Sequence, residues 1–72
     1  MSKTTLEKFG DKVREERHKQ NLSQEELASR AGVHRTYIGM IERAEKNITL
    51  ENIEKIAKAL DIPLGKIMNL EK

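Results

Sequence analysis

Seventy-two residues leave room for one small domain, and 14 Lys plus Arg against 12 Asp plus Glu give a formal net charge of +2. That balance permits a polyanionic partner without demanding one, so any basic face must come from arrangement and not from excess. The absence of cysteine excludes a disulfide framework and a thiolate metal site, and no apolar run approaches the about 20 residues that a membrane span needs.

Met1 to Thr5 carry no apolar signal segment, which makes the cytoplasm the expected location. Residues 1 to 4 read as a frayed tail. A first helix starts near Thr5, with Leu6, Phe9 and Val13 inward and Lys8, Lys12 and Glu15 outward. Gly10 inside it costs about 1 kcal/mol relative to Ala. The segment ends at Gln20-Asn21, Asn being tolerant of a left-handed cap.

Ser23 opens a second helix. With Glu26 it makes the S-x-x-E spacing of a capping box, and Glu25 and Glu26 lie in the first turn, where the helix dipole favours acids. Leu27, Ala28 and Ala31 form its apolar stripe, Gly32 suits a left-handed exit, and Val33 is the apolar turn residue. A third helix follows from about Arg35 and buries Ile38 and Ile41. The link from Arg43 to Ile48 is a loop. Thr49 caps a fourth helix carrying Leu50, Ile53, Ile56, Ala57 and Leu60 at helical spacing. Asp61-Ile62-Pro63 closes it, and a short fifth helix starts with Pro63 near its first position. Leu64, Ile67 and Met68 form its stripe, extended by Leu70. No strand pattern, repeat or low-complexity segment occurs, so the expectation is an all-α domain of about five short helices.

The third helix leaves Arg35, Thr36, Gly39 and Met40 off its buried stripe, with Tyr37 at the edge. An exposed Tyr and Met beside an Arg suit the DNA major groove, where Arg bonds guanine O6/N7 bidentately and Thr or apolar groups meet a thymine methyl. L-S-Q-E-E-L-A-x-x-A-G-V followed by R-T-Y-I-x-x-I-E-R, with N-I-T-L and I-x-x-I-A-x-x-L beyond, resembles the helix-turn-helix of the Cro/repressor-like (XRE) family of bacterial and phage regulators. The likeness runs over roughly residues 6 to 68. It implies a λ-repressor-like five-helix domain over 1–72, with the helix-turn-helix at about 23–43. Within the family, H-R-T-Y-I-G-M-I-E-R-A-E-K-N-I-T-L is most similar to the controller proteins of restriction–modification systems.

The resemblance sorts the candidate residues. Arg35, Thr36, Tyr37, Met40 and His34 would face bases, whereas Ser23, Gln24, Arg43, Lys46 and Asn47 would lie at phosphates and fix register. Two readings stay open for Tyr37, packing on the first helix or reaching DNA. Two also stay open for His34, which is not among the good N-caps: a poorly capped helix start, or a contact that strengthens as the imidazole protonates. Arg17 and Glu42 match a structural ion pair of relatives, which reads Glu42 as structural and not as a catalytic acid. Relatives usually carry Gly where this chain has Ala44, and a positive φ there would cost roughly 1 kcal/mol.

Ile62, Leu64, Ile67 and Met68 either close one core or form a self-complementary patch. The resemblance favours the second, a homodimer through helices at about 50–69 that sets two reading helices about 34 Å apart on double-stranded DNA. Glu25 lies where activating phage repressors present an acid to RNA polymerase. The expected function is a sequence-specific transcriptional regulator acting on palindromic operators. The alternatives are a phage-repressor-like or antitoxin-type regulator, and a protein-interaction module without DNA binding. An enzyme is disfavoured: only His18 and His34 could serve as imidazole bases, no Cys nucleophile is present, and no HExxH, Gly-rich phosphate loop, cofactor or metal pattern appears.

Overall fold

In the computed structural model, which describes residues 3–67, five helices follow one another: α1 (Thr5–Lys19), α2 (Gln24–Ala31), α3 (Arg35–Glu42), α4 (Leu50–Leu60) and α5 (Leu64–Ile67). The described residues are all-α, as the periodicity implies. Each long helix starts where a side chain satisfies an otherwise orphaned backbone donor. Ser23 and Thr49 cap α2 and α4 as expected. The N-terminal expectation needs correcting. Thr4 is not frayed but closes a complete capping box with Glu7, accepting from its amide at 3.1 Å and donating to its carboxylate at 2.8 Å.

The four longer helices also end alike. In each, an amide reaches back five residues: Leu22 to Arg17 O (3.0 Å), Val33 to Ala28 O (3.0 Å), Glu45 to Met40 O (2.8 Å) and Ile62 to Ala57 O (3.1 Å). The residue before each of these amides is left-handed: Asn21, Gly32, Ala44 and Asp61. This closure pairs carbonyls that a helix end otherwise leaves bare. Three of the four following residues, Leu22, Val33 and Ile62, pack into or against the core, and the fourth is Glu45. Each helix therefore stops within a single turn, which keeps the connections short and the directions fixed.

The core gathers Phe9 and Val13 of α1, Leu27 of α2, Ile38 and Ile41 of α3, and Ile56 and Leu60 of α4. Ile67 of α5 is fully enclosed by it. Leu50 departs from its spacing. As the first residue of α4 it stands 64% exposed, because a helix's opening turn projects beyond the layer it packs on. Pro63 stands one residue before α5, its carbonyl accepting from Lys66 and Ile67 at 3.1 Å each. Gln20 adds a tie across the molecule, donating its amide to Leu60 O at 2.7 Å.

α1 and α3 meet at close range. A Cβ built on Gly10 would lie 2.4 Å from the carbonyl oxygen of Ile41, so the absence of a side chain is what lets these helices touch. The expected helix-propensity cost of Gly10 is thus offset by backbone contact that no other residue permits.

Candidate nucleic-acid interface

α2 and α3 form the helix–turn–helix corner, and its geometry comes from local sequence. The Ser23–Glu26 capping box starts α2, with Ser23 Oγ accepting from the Glu26 amide at 3.0 Å and Ser23 N donating to Glu26 Oε1 at 2.8 Å. The Ser23 amide foremost, and then the Ser23 hydroxyl beside it, hold the Glu26 carboxyl below the usual Glu range. Gly32 ends the helix at φ 72°, and Val33 packs against the core.

His34 begins α3, and the reading of it as a poorly capped helix start needs correcting. It is an exposed but working N-cap: Nδ1 accepts from the Thr36 amide at 3.1 Å, in place of the oxygen a Ser or Asp would offer. Beyond it Arg35 and Thr36 are exposed and Met40 is half-buried. Tyr37 is half-buried against the core, and its hydroxyl accepts from Asn52 Nδ2 of α4 at 3.0 Å. Its hydroxyl is therefore tied to α4, a partner that neither open reading named.

Behind this face lies a buried ionic network. Arg17 Nε donates to Glu42 Oε2 at 2.7 Å and Nη2 to Oε1 at 3.0 Å, a two-pronged pair with both residues less than a tenth exposed. Arg17 Nη1 also donates to Leu22 O at 2.9 Å, so the guanidinium ties α1 to α3 and to the start of the helix–turn–helix together. Gln24 joins them, its amide donating to Glu42 Oε1 at 3.2 Å. Among the described residues no buried side-chain polar atom lacks a partner.

The remaining candidates fall on two sides of α3. Ser23 and Gln24 stand at one end of α2, exposed and half-buried respectively, while Arg43, Lys46 and Asn47 are exposed after α3. Arg43 is engaged within the protein, its Nε lying 3.0 Å from Glu45 Oε1. Glu25 is exposed on the first turn of α2. Of the apolar C-terminal set, Ile67 belongs to the protomer's own core, Ile62 and Leu64 are half-buried against it, and Met68 lies outside the described residues. Sequence reasoning did not find Asn52 or Glu45. Both pairings are set by the tertiary approach and by a turn, and no spacing rule signals them. Among the described residues no cluster of His, Cys, Asp or Glu could hold a metal ion, and no helix is long and apolar enough to cross a membrane.

Residues 13–67 match the helix-turn-helix family model. The chain is 56% identical over 55 residues, 75% of its length and 68% of the relative's, to Control protein C.BamHI of Bacillus amyloliquefaciens. It is 47% identical over 60 residues, 83% of its length and 71% of the relative's, to Control protein C.SmaI of Serratia marcescens. Its structure is similar to the crystal structure of the restriction-modification controller protein C.AhdI from Aeromonas hydrophila, with a TM-score of 0.84 and 47% identity over 86% of this chain and 94% of that one.

Proposed function

The chain belongs to the XRE-type helix-turn-helix family, and from that premise we propose that it is a restriction–modification controller, a homodimeric regulator of transcription that binds palindromic operators. The observation that carries the reading is the outward face of α3, where Arg35 and Thr36 are exposed beside Met40 on a helix whose other side is locked into the core. Rigid presentation is what sequence reading requires, because a bidentate Arg–guanine contact depends on a fixed approach.

In this mechanism α3 of each protomer enters successive major grooves. Arg35 and Thr36 meet base edges, with His34, Tyr37 and Met40 at the margins. Ser23, Gln24, Arg43, Lys46 and Asn47 meet phosphates and set register without reading sequence. Ile62 and Leu64, together with Met68, line the proposed dimer contact. Ile67 supports them from within the core. Glu25, exposed on α2, is the acid offered to RNA polymerase. The cytoplasm is where such a regulator would act.

Selection of sites from random duplex DNA, with sedimentation of the selected complex, tests the reading. The expected result is a palindrome with half-sites about one helical turn apart, bound by two chains. On that duplex Arg35→Ala should cost about 1–3 kcal/mol of binding and relax preference at one base pair, with thermal stability unchanged. Lys46→Ala should weaken all sequences alike. Absence of enrichment at low salt would instead make the chain a protein-interaction module, since phosphate neutralisation gives a log–log salt slope near −0.9 per contact.

A further inference from the structure

Gly39 stands at the middle of the outward face of α3, one turn from Arg35 and one turn from Arg43, yet it is buried. What covers it is not the core. A Cβ built there would lie 3.1 Å from Arg43 Nη1 and 3.7 Å from Nη2, with Gln24 Oε1 also at 3.7 Å. The Arg43 guanidinium thus folds back over the preceding turn and lies in the space a side chain at position 39 would take. Glu45 Oε1 lies 3.0 Å from its Nε, and the Nη atoms and Gln24 Oε1 converge on the same point above Gly39.

We propose that Gly39 is a positioning residue for DNA binding. Its missing side chain is a notch that seats the Arg43 guanidinium next to the Gln24 amide and so builds one phosphate-binding pair from α2 and the end of α3. The inference rests on the DNA-binding reading given above. Stability alone would favour Ala at this place, because glycine is a poor interior helix residue. The atoms nearest the added Cβ are ends of flexible side chains, so a methyl group moves the guanidinium and leaves the fold intact.

The test compares wild type, Gly39→Ala, Arg43→Ala and the double variant on a site-selected duplex and on a scrambled duplex of equal length, each over a salt series. Gly39→Ala should keep or raise the melting temperature and lose about three- to tenfold in affinity on both duplexes, with a shallower salt slope. In the Arg43→Ala background the same change should do nothing further. Equal loss in both backgrounds would mean that the methyl group itself meets DNA. Undiminished affinity, or a lowered melting temperature, would make the notch a packing feature, and each of these three results overturns the proposal. If wild type binds neither duplex, the DNA-binding reading fails, and the role of Gly39 falls with it.

Discussion

The turn that leads into α3 and the turn that leads out of it share one closure and use opposite residues. On the way in, Gly32 takes the left-handed conformation at φ 72° and Val33 packs on the core behind it. On the way out, Ala44 is left-handed at φ 57° and is followed by the exposed Glu45. The entry turn is thus specified twice over, by a residue suited to the angle and by an apolar anchor. The exit turn has neither. What holds the far end of α3 is the seam with α1: the Arg17–Glu42–Gln24 network, and the contact of Gly10 with the carbonyls of Ile41 and Glu42. With α3 anchored from behind, the residues after it are released from packing, and Arg43, Lys46 and Asn47 can all be exposed.

Removing the seam's charge should have the largest effect. Glu42→Ala would leave the Arg17 guanidinium buried without its partner, a loss of about 3–5 kcal/mol. Small domains have only about 5–15 kcal/mol in total. The expected outcome is a chain with no cooperative thermal transition, or one displaced by tens of degrees. A shift of a few degrees would mean that the exit turn carries its own weight after all.

Gly10→Ala probes the same seam from the other side, with a smaller cost. Helix propensity alone favours Ala by about 1 kcal/mol. Against that stands a backbone carbonyl 2.4 Å from the new Cβ, which cannot step aside as a side chain could. Overpacking of this kind costs about 1–3 kcal/mol, so denaturant titration should show net destabilisation. A gain in stability would show that α1 and α3 can part without harm. The contrast with Gly39, where the neighbours are side-chain ends, makes the two substitutions opposite in sign although both replace a glycine inside a helix.

The turns themselves can be exchanged. Gly32→Ala should lower stability and Ala44→Gly raise it, each by about 1 kcal/mol, since a left-handed angle penalises a Cβ wherever it occurs. In a domain this size that is about 4–8 °C in melting temperature. Unchanged stability in Ala44→Gly would mean that the exit turn is already relaxed by some other contact.

Much of this was legible from sequence, for a physical reason that also marks the limit. Ser23, Glu26, Gly32 and Thr49 act on backbone groups within a few residues of themselves, so their spacing states their role. The left-handed angle at Ala44 was expected only through the family resemblance, since relatives usually carry Gly there. Thr4 was mistaken for tail although it too is a local cap, because a polar stretch before a helix reads equally as disorder. Gly10 and Gly39 look alike in the string. Their difference lies in what approaches them across 31 residues in one case and four in the other. Arg17 and Glu42, 25 residues apart, could be paired only through the family resemblance. Leu50 shows the reverse error, since its spacing fits the apolar stripe and its place at the helix start removes it. The outward set on α3 was readable as a face, while the Tyr37–Asn52 bond and the Arg43–Glu45 pair needed the fold.

The smallest effect concerns the start of α2, opposite the weakly specified end of α3. Ser23 donates to the Glu26 carboxylate, and the pKa of that group is lowered for this reason. A folded pKa below the unfolded value of about 4.3 means that the unfolded chain binds the proton more readily. The capping contribution is then fully present above about pH 4.3 and disappears as pH falls through the lower, folded value. Wild type should therefore lose stability on acidification through that window by more than Glu26→Gln does, the amide being able to accept from Ser23 without titrating. Melting temperatures of the two chains, measured from neutral pH down to about 3, should converge at the acid end. If the two curves stay parallel throughout, the capping box contributes by geometry alone, and the entry to the helix–turn–helix is held by Gly32 and Val33 without electrostatic help.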